Sequence, residues 1–197
     1  MARPREFCVD KALERALDAF WVNGYEATSV CDLMEAMDLQ KGSLYKAFGD
    51  KHSLYMSALE QYIRQSHEFD QQTLEDAATP KEAVTKWLNR DIKKKCNDSL
   101  RRGCFVVNAL TELAYKDEQV ATAIKNHISG MTRLLTTTIQ QGQEEGEFRS
   151  DVSASGIAQI LVTHLFGLAT LGKAVTSKSA SLQGIKNILT LIEQPGN

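Results

Sequence analysis

Proline is nearly missing from this 197-residue chain: there are three, and Pro4 and Pro195 stand at its ends. A residue without a backbone N–H breaks helices, so Pro80 is the sole proline break in a long helix-friendly sequence. Period-two alternation, the mark of a half-buried strand, is also missing, while apolar residues recur at helical spacing almost everywhere. No apolar run reaches the roughly 18 residues of a membrane span, and the opening Met-Ala-Arg-Pro-Arg-Glu leads into no signal-type apolar stretch. A cytoplasmic protein with no membrane partner is expected. The four cysteines, Cys8, Cys31, Cys96 and Cys104, form no C-x-x-C pair, and no histidine lies at zinc-finger spacing. That argues against a structural metal site and for free thiols in a reducing compartment, and no cofactor is implied. A net charge of −2 excludes a uniformly basic surface, leaving local charge distribution to be read along the chain. What is present is ordinary for a folded soluble domain: 43% hydrophobic and 24% charged residues.

Phe7, Leu13, Leu17 and Phe20 make one helical stripe, which Gly24 terminates. Thr28 is the expected N-cap of a second short helix that turns Val30, Leu33 and Met37 inward. After Asp38-Leu39-Gln40, a third helix runs from Lys41 to Phe48, and Asp50 caps a fourth carrying Leu54, Leu59, Tyr62 and Phe69. Thr79-Pro80-Lys81-Glu82 has the form of a capping box opening a helix with Val84, Trp87, Leu88 and Ile92. The basic stretch from Lys93 to Arg102 reads as a solvated loop. A short apolar helix follows from Gly103 to Ala114, and Asp117 caps a long one reaching Glu145, ended by Gly146. The last two helices, Ser153 to Val175 and Ser179 to Glu193, are apolar over wide arcs, more than one small bundle buries. A subunit interface is therefore expected there, sensitive to a charge at Leu168 or Leu189. The fold class is all-α: a helix-turn-helix head in residues 1–50 and a helical effector-sensing and dimerisation domain in residues 51–197.

The stretch from Thr28 to Lys51 is the most informative. Two short helices packing through Val30, Leu33, Met37, Leu39, Leu44 and Phe48 thrust the second outward as a ridge that fits the DNA major groove. Gly42 offers no side chain to hold a phosphate away. These residues closely resemble the TetR family of repressors, whose Lys-Gly-Ser/Thr-Leu-Tyr-x-x-Phe-x-x-Lys signature is matched by Lys41, Gly42, Ser43, Leu44, Tyr45, Phe48 and Lys51. The resemblance implies a homodimer of about nine helices per chain, bound to a pseudo-palindromic operator, with a C-terminal domain that receives a signal. It implies that Thr28 and Lys51 hold phosphates and that Tyr45 lies on the backbone or a thymine methyl. Lys46 and Ser43 become base readers, Lys41 reaches either target, and Arg3 and Arg5 form an arm for the minor groove. Gln40 stands at the cap of the reading helix where the family usually has serine or threonine. Asp38 replaces the usual turn glycine, in a left-handed conformation that aspartate tolerates, and Ala47 replaces a polar residue.

In the second domain Cys104 is the sharpest signal. It opens a short helix behind Arg101 and Arg102, where helix dipole and cations both favour a thiolate. The local run resembles a TetR branch responsive to electrophiles and oxidants, including repressors of N-ethylmaleimide reductase. There the cysteine is paired with a lysine late in the penultimate helix, the place of Lys173. A reversible apolar effector is the alternative, with Trp87, Phe105, Asn108, His127, Met131, His164 and Phe166 as pocket candidates. Cys31 is a weaker sensor candidate; Cys8 and Cys96 are bystanders. An enzyme using Cys104 as nucleophile would need a base and an oxyanion site, and no histidine motif accompanies the cysteine, so no enzyme is expected.

Overall fold

The computed structural model describes residues 8–97, 100–174 and 178–194, with side chains for all of these except 90–97 and 178. Arg3 and Arg5 lie outside the described residues, as does the side chain of Cys96. Among the described residues there are nine helices: α1 (Val9–Asn23), α2 (Val30–Met37), α3 (Lys41–Phe48), α4 (Lys51–Glu75), α5 (Pro80–Asn97), α6 (Phe105–Glu112), α7 (Glu118–Glu144), α8 (Ala154–Leu171) and α9 (Lys178–Ile192).

Local chemistry accounts for most of their ends. Gly24, at φ +83, stops α1, and Asp38 takes the expected left-handed turn between α2 and α3 (φ 53, ψ 46). The cap of α2 falls one residue later than expected. Ser29, not Thr28, accepts from the Asp32 amide at 3.1 Å, while the Asp32 carboxylate accepts from the Ser29 amide at 2.7 Å. The Thr28 hydroxyl instead donates to the Gly24 carbonyl at 2.5 Å and is fully buried. Asp50 and Asp117 cap α4 and α7 through the amides of Ser53, Gln119 and Val120. At α5, Thr79 accepts from the Glu82 amide, but the Glu82 carboxylate reaches back to Ala78, one residue beyond a reciprocal box. α5 also continues to Asn97, through half of the stretch read as a loop. Lys93 to Asn97 contains no glycine or proline to stop it, and a charge run suits a solvated helix face as well as a loop.

Two cores result. In the first, Ala16 and Phe20 of α1, Leu33, Leu44, and Leu54 and Leu59 of α4 pack with Phe105, Val106 and Ala109 of α6 and with Val120 and Ile124 of α7. The reading head is thereby welded to α4, α6 and the start of α7. The second core joins Val84, Trp87 and Leu88 of α5 to Met131 and Leu135 of α7, Leu161 and Leu165 of α8, and Ile185 and Ile188 of α9. By length and composition α8 is apolar enough to cross a membrane, with mean hydropathy 1.5 over 18 residues, where the sequence suggested no such span. Gln159, Thr163, His164 and Thr170 break the apolar run, yet the average over the helix still stands at 1.5. Its Ile157, Leu161, Leu165 and Ala169 stripe is buried in the bundle, as a core helix requires.

The caps carry a pH dependence. Hydrogen bonds from the backbone of Ser29 and Ser53 hold the carboxyls of Asp32 and Asp50 below the ordinary range. Burial pushes Asp117 up, but the Val120 amide and His52, at 2.7 Å, outweigh it and leave it lowered. A depressed folded-state pKa stabilises above the unfolded value and ceases to do so as pH falls through the folded one. The melting temperature is therefore expected to hold down to about pH 5 and to drop below about pH 4. Circular-dichroism melts should show a smaller acid drop for Asp117→Asn, whose cap no longer titrates; an unchanged drop would remove Asp117 from that account.

Candidate functional site

α3 is held by its buried Leu44 and half-buried Phe48, and this choice of inner face dictates the outer one. Lys41, Gly42, Tyr45, Lys46 and Ala47 are exposed, and Ser43 is half-buried beside them. The Lys41 ammonium lies 5.9 Å from the Tyr45 ring centroid, a cation–π pair one turn apart. A Cβ on Gly42 would meet nothing within 4 Å, so no internal packing requires glycine there. Gln40, exposed at the N-cap, makes no side-chain capping bond. Lys51 starts α4 half-buried, its ammonium 4.4 Å from the Tyr25 ring centroid. Thr28 does not join this surface. Its hydroxyl is turned inward onto Gly24, and the exposed Ser29 stands beside α2 instead. Cys31 is exposed on α2.

A cavity of about 390 Å³ lies between α4, α6, α7 and α8. α4 contributes Tyr62, Gln65, Ser66 and Phe69; α7 gives His127 and Met131; α8 gives Leu165, Phe166 and Ala169. Cys104 completes the wall as the N-cap of α6, half-buried, with the Tyr62 hydroxyl donating to its Sγ at 3.6 Å. Three of the seven expected pocket residues, His127, Met131 and Phe166, line it. Trp87 is instead buried in the second core, its indole donating to Asp70 at 2.9 Å. Phe105 packs among Trp21, Tyr55 and Tyr62, and the Asn108 amide donates to the Arg102 carbonyl at 3.0 Å. His164 faces α9, where a Cβ on Gly184 would lie 3.7 Å from its Cε1. The α4 wall was missed because Tyr62 and Phe69 fit a core stripe; Phe69 is in fact 52% exposed. The polar Gln65-Ser66 pair beside them was the available signal.

The expected partners of Cys104 divide. Arg102 turns away to α1, donating to Asp18 at 2.8 Å with its guanidinium 4.4 Å from the Trp21 ring centroid. Lys173 lies against the residue before the cysteine: a Cβ on Gly103 would sit 2.8 Å from its Cε and 3.3 Å from the Ala169 carbonyl. Gly103 also has φ +74, so the turn before Cys104 is seated tightly on α8. Gly103→Ala is expected to destabilise the protein by about 1–3 kcal/mol, from left-handed strain plus this contact. A denaturant midpoint equal to wild type would show that the turn yields freely.

The sequence model described as "Bacterial regulatory proteins, tetR family" matches residues 12–58, and "Tetracyclin repressor-like, C-terminal domain" matches residues 80–187. The chain is 27% identical over 187 residues to the HTH-type transcriptional repressor ComR of Escherichia coli (strain K12), covering 94% of this chain and 87% of ComR. A cysteine mutant of the TetR family transcriptional regulator CifR, solved with 26-bp double-strand operator DNA, is 33% identical with a TM-score of 0.85; the match covers 97% of this chain and 100% of that one. Reduced E. coli NemR shares the fold, with a TM-score of 0.87 at 17% identity over 95% of this chain and 98% of NemR.

Proposed function

Because the chain belongs to the TetR family of bacterial regulatory proteins, we propose that it is a cytoplasmic homodimeric repressor that grips a pseudo-palindromic operator and lets go when Cys104 is modified. It is a regulator, not an enzyme. The observation that carries the DNA reading is the outer face of α3. Lys41, Tyr45 and Lys46 stand exposed around a glycine that no internal contact requires. Space at Gly42 lets the backbone meet a phosphate, the lysines reach phosphates and base edges, and Ser43 and Gln40 supply short polar contacts. Lys51 acts from the start of α4. The CifR complexes with operator DNA support the same use of this head.

Genomic selection with the purified protein is expected to enrich one pseudo-palindromic motif, bound with steep salt dependence. Lys46→Ala should relax base preference at one position of each half-site. Lys51→Ala should weaken all sequences alike and lower the salt slope by about one unit. Recovery of no shared motif would sink the DNA reading.

For the dimer, the support is the outer surface of the last two helices. Ile160 and Leu171 of α8 and Leu182 and Leu191 of α9 are exposed apolar side chains, a surface that a second copy would cover. Leu168 and Leu189 are half-buried against the subunit's own core, so charges there would also disturb folding.

For release, the support is that Cys104 opens into the cavity with Lys173 seated against the neighbouring Gly103. The cavity itself favours a second reading, a reversible effector of small apolar type, since its volume falls in the range of small-molecule sites.

A further inference from the structure

A glutamate at the end of a helix ordinarily points to water. Glu112, the last residue of α6, instead accepts two backbone hydrogen bonds from the loop between α1 and α2. The Tyr25 amide donates to its Oε2 at 3.1 Å and the Glu26 amide to its Oε1 at 2.9 Å. Gly24, at φ +83, turns the chain so that both N–H groups face one carboxylate, a small backbone nest for an anion. The fit is tight: a Cβ on Gly24 would lie 3.0 Å from Oε2 and 3.1 Å from Oε1.

The gripped loop is stiff and short. Thr28 closes it onto the Gly24 carbonyl, the Tyr25 ring packs edge-on against Tyr55, and Lys116 pairs with Glu26. The residue after Thr28 is Ser29, the cap of α2. Whatever holds the Tyr25 and Glu26 amides therefore sets where α2 begins. The other end of α6 starts at Cys104, and Arg102 just before it holds Asp18 and Trp21 of α1. α6 is thus a rigid rod of about 12 Å with the thiol at one end and the loop of the head at the other.

We infer that Glu112 is a positioning residue for operator binding. Its carboxylate fixes the α1–α2 loop against the end of α6, and through it a displacement of α6 at Cys104 reaches the start of α2. The second half of this inference rests on the thiol reading; the first half does not. With one oxygen to each amide, this arrangement calls for a carboxylate. Glutamine has a single acceptor oxygen, and its NH₂ would face the remaining N–H.

The test uses full-length Glu112→Gln and Glu112→Ala with two duplexes, the complete selected operator and a single half-site. A loosened but intact head should lose simultaneous engagement alone. Operator affinity is expected to fall about tenfold or more while half-site affinity stays within about twofold of wild type. Equal losses on both duplexes in both variants, or no loss on the operator, would overturn the inference. A further arm alkylates Cys31→Ser protein, with and without Glu112→Gln, using N-ethylmaleimide, because the exposed Cys31 thiol would block DNA by itself. Alkylated Cys31→Ser protein should release the operator, whereas the alkylated and unmodified forms of the Cys31→Ser, Glu112→Gln protein should bind within about twofold of each other. Retention by alkylated Cys31→Ser protein would defeat the thiol reading, while the two-duplex comparison still decides Glu112.

Discussion

Cys104→Ser, in a Cys31→Ser background, is expected to bind the operator as wild type does and to stay bound after N-ethylmaleimide, whereas protein retaining Cys104 is released. The Cys31 change removes the exposed α2 thiol, whose alkylation would block DNA directly. The thiolate of Cys104 adds across the maleimide double bond, with the proton delivered from solvent and no group leaving. The new C–S bond places a five-membered imide in a cavity of about 390 Å³ between α4, α6, α7 and α8. Phe105 and Val106, directly after the thiol, are fully packed in the core shared with the head. α6 therefore shifts as a body rather than absorbing the adduct locally. A coupling of about 1–3 kcal/mol, roughly 5- to 150-fold in operator affinity, is the expected size. Serine is smaller and unreactive, so binding without the electrophile should be unchanged. Release of the Cys104→Ser protein by the same treatment would hand the cavity to the reversible-effector reading.

Ile160→Glu combined with Leu191→Glu is expected to convert a two-chain particle into single chains and to reduce operator affinity by about a hundredfold to ten-thousandfold. Both side chains are more than half exposed in the isolated subunit, 52% and 67%, so the substitutions spare its own core. Two carboxylates per chain on a face that must desolvate against its copy cost far more there than at an exposed site. The loss on DNA follows from linkage: one dimer engages two half-sites, whereas each monomer must bind alone. Light scattering gives the mass and half-site titration shows whether each head still works. A wild-type mass of one chain at micromolar concentration would refute the interface.

The helix plan was legible because capping and termination are local. Gly24, Asp50, Asp117 and the left-handed Asp38 each act within a few residues, and the structure puts them where propensity does. α3 was legible to its ends, since Leu44 and Phe48 select the inner face and leave Lys41, Gly42, Tyr45 and Lys46 outside. The exchange of Thr28 for Ser29 was not. Both hydroxyls make acceptable caps, and only the fold of the loop onto Gly24 buries one of them.

Residues acting through neighbours distant in sequence were decided by tertiary structure alone. Whether Arg102 turned toward Cys104 or toward Asp18 depended on where α1 lay, and Asp18 won through an ion pair joined to stacking on Trp21. Periodicity could not separate the cavity wall from the core, because Trp87 and Met131 obey the same spacing. Glu112 carries no motif; its partners are Tyr25 and Glu26, more than eighty residues earlier. The sequence by itself determined the order of the helices, the caps at Asp50 and Asp117 and the outward face of α3, all set by interactions within a turn or two. The cavity at Cys104, the turn of Arg102 to Asp18 and the grip of Glu112 on the head came only from packing, because long-range contacts depend on how whole helices lie against one another.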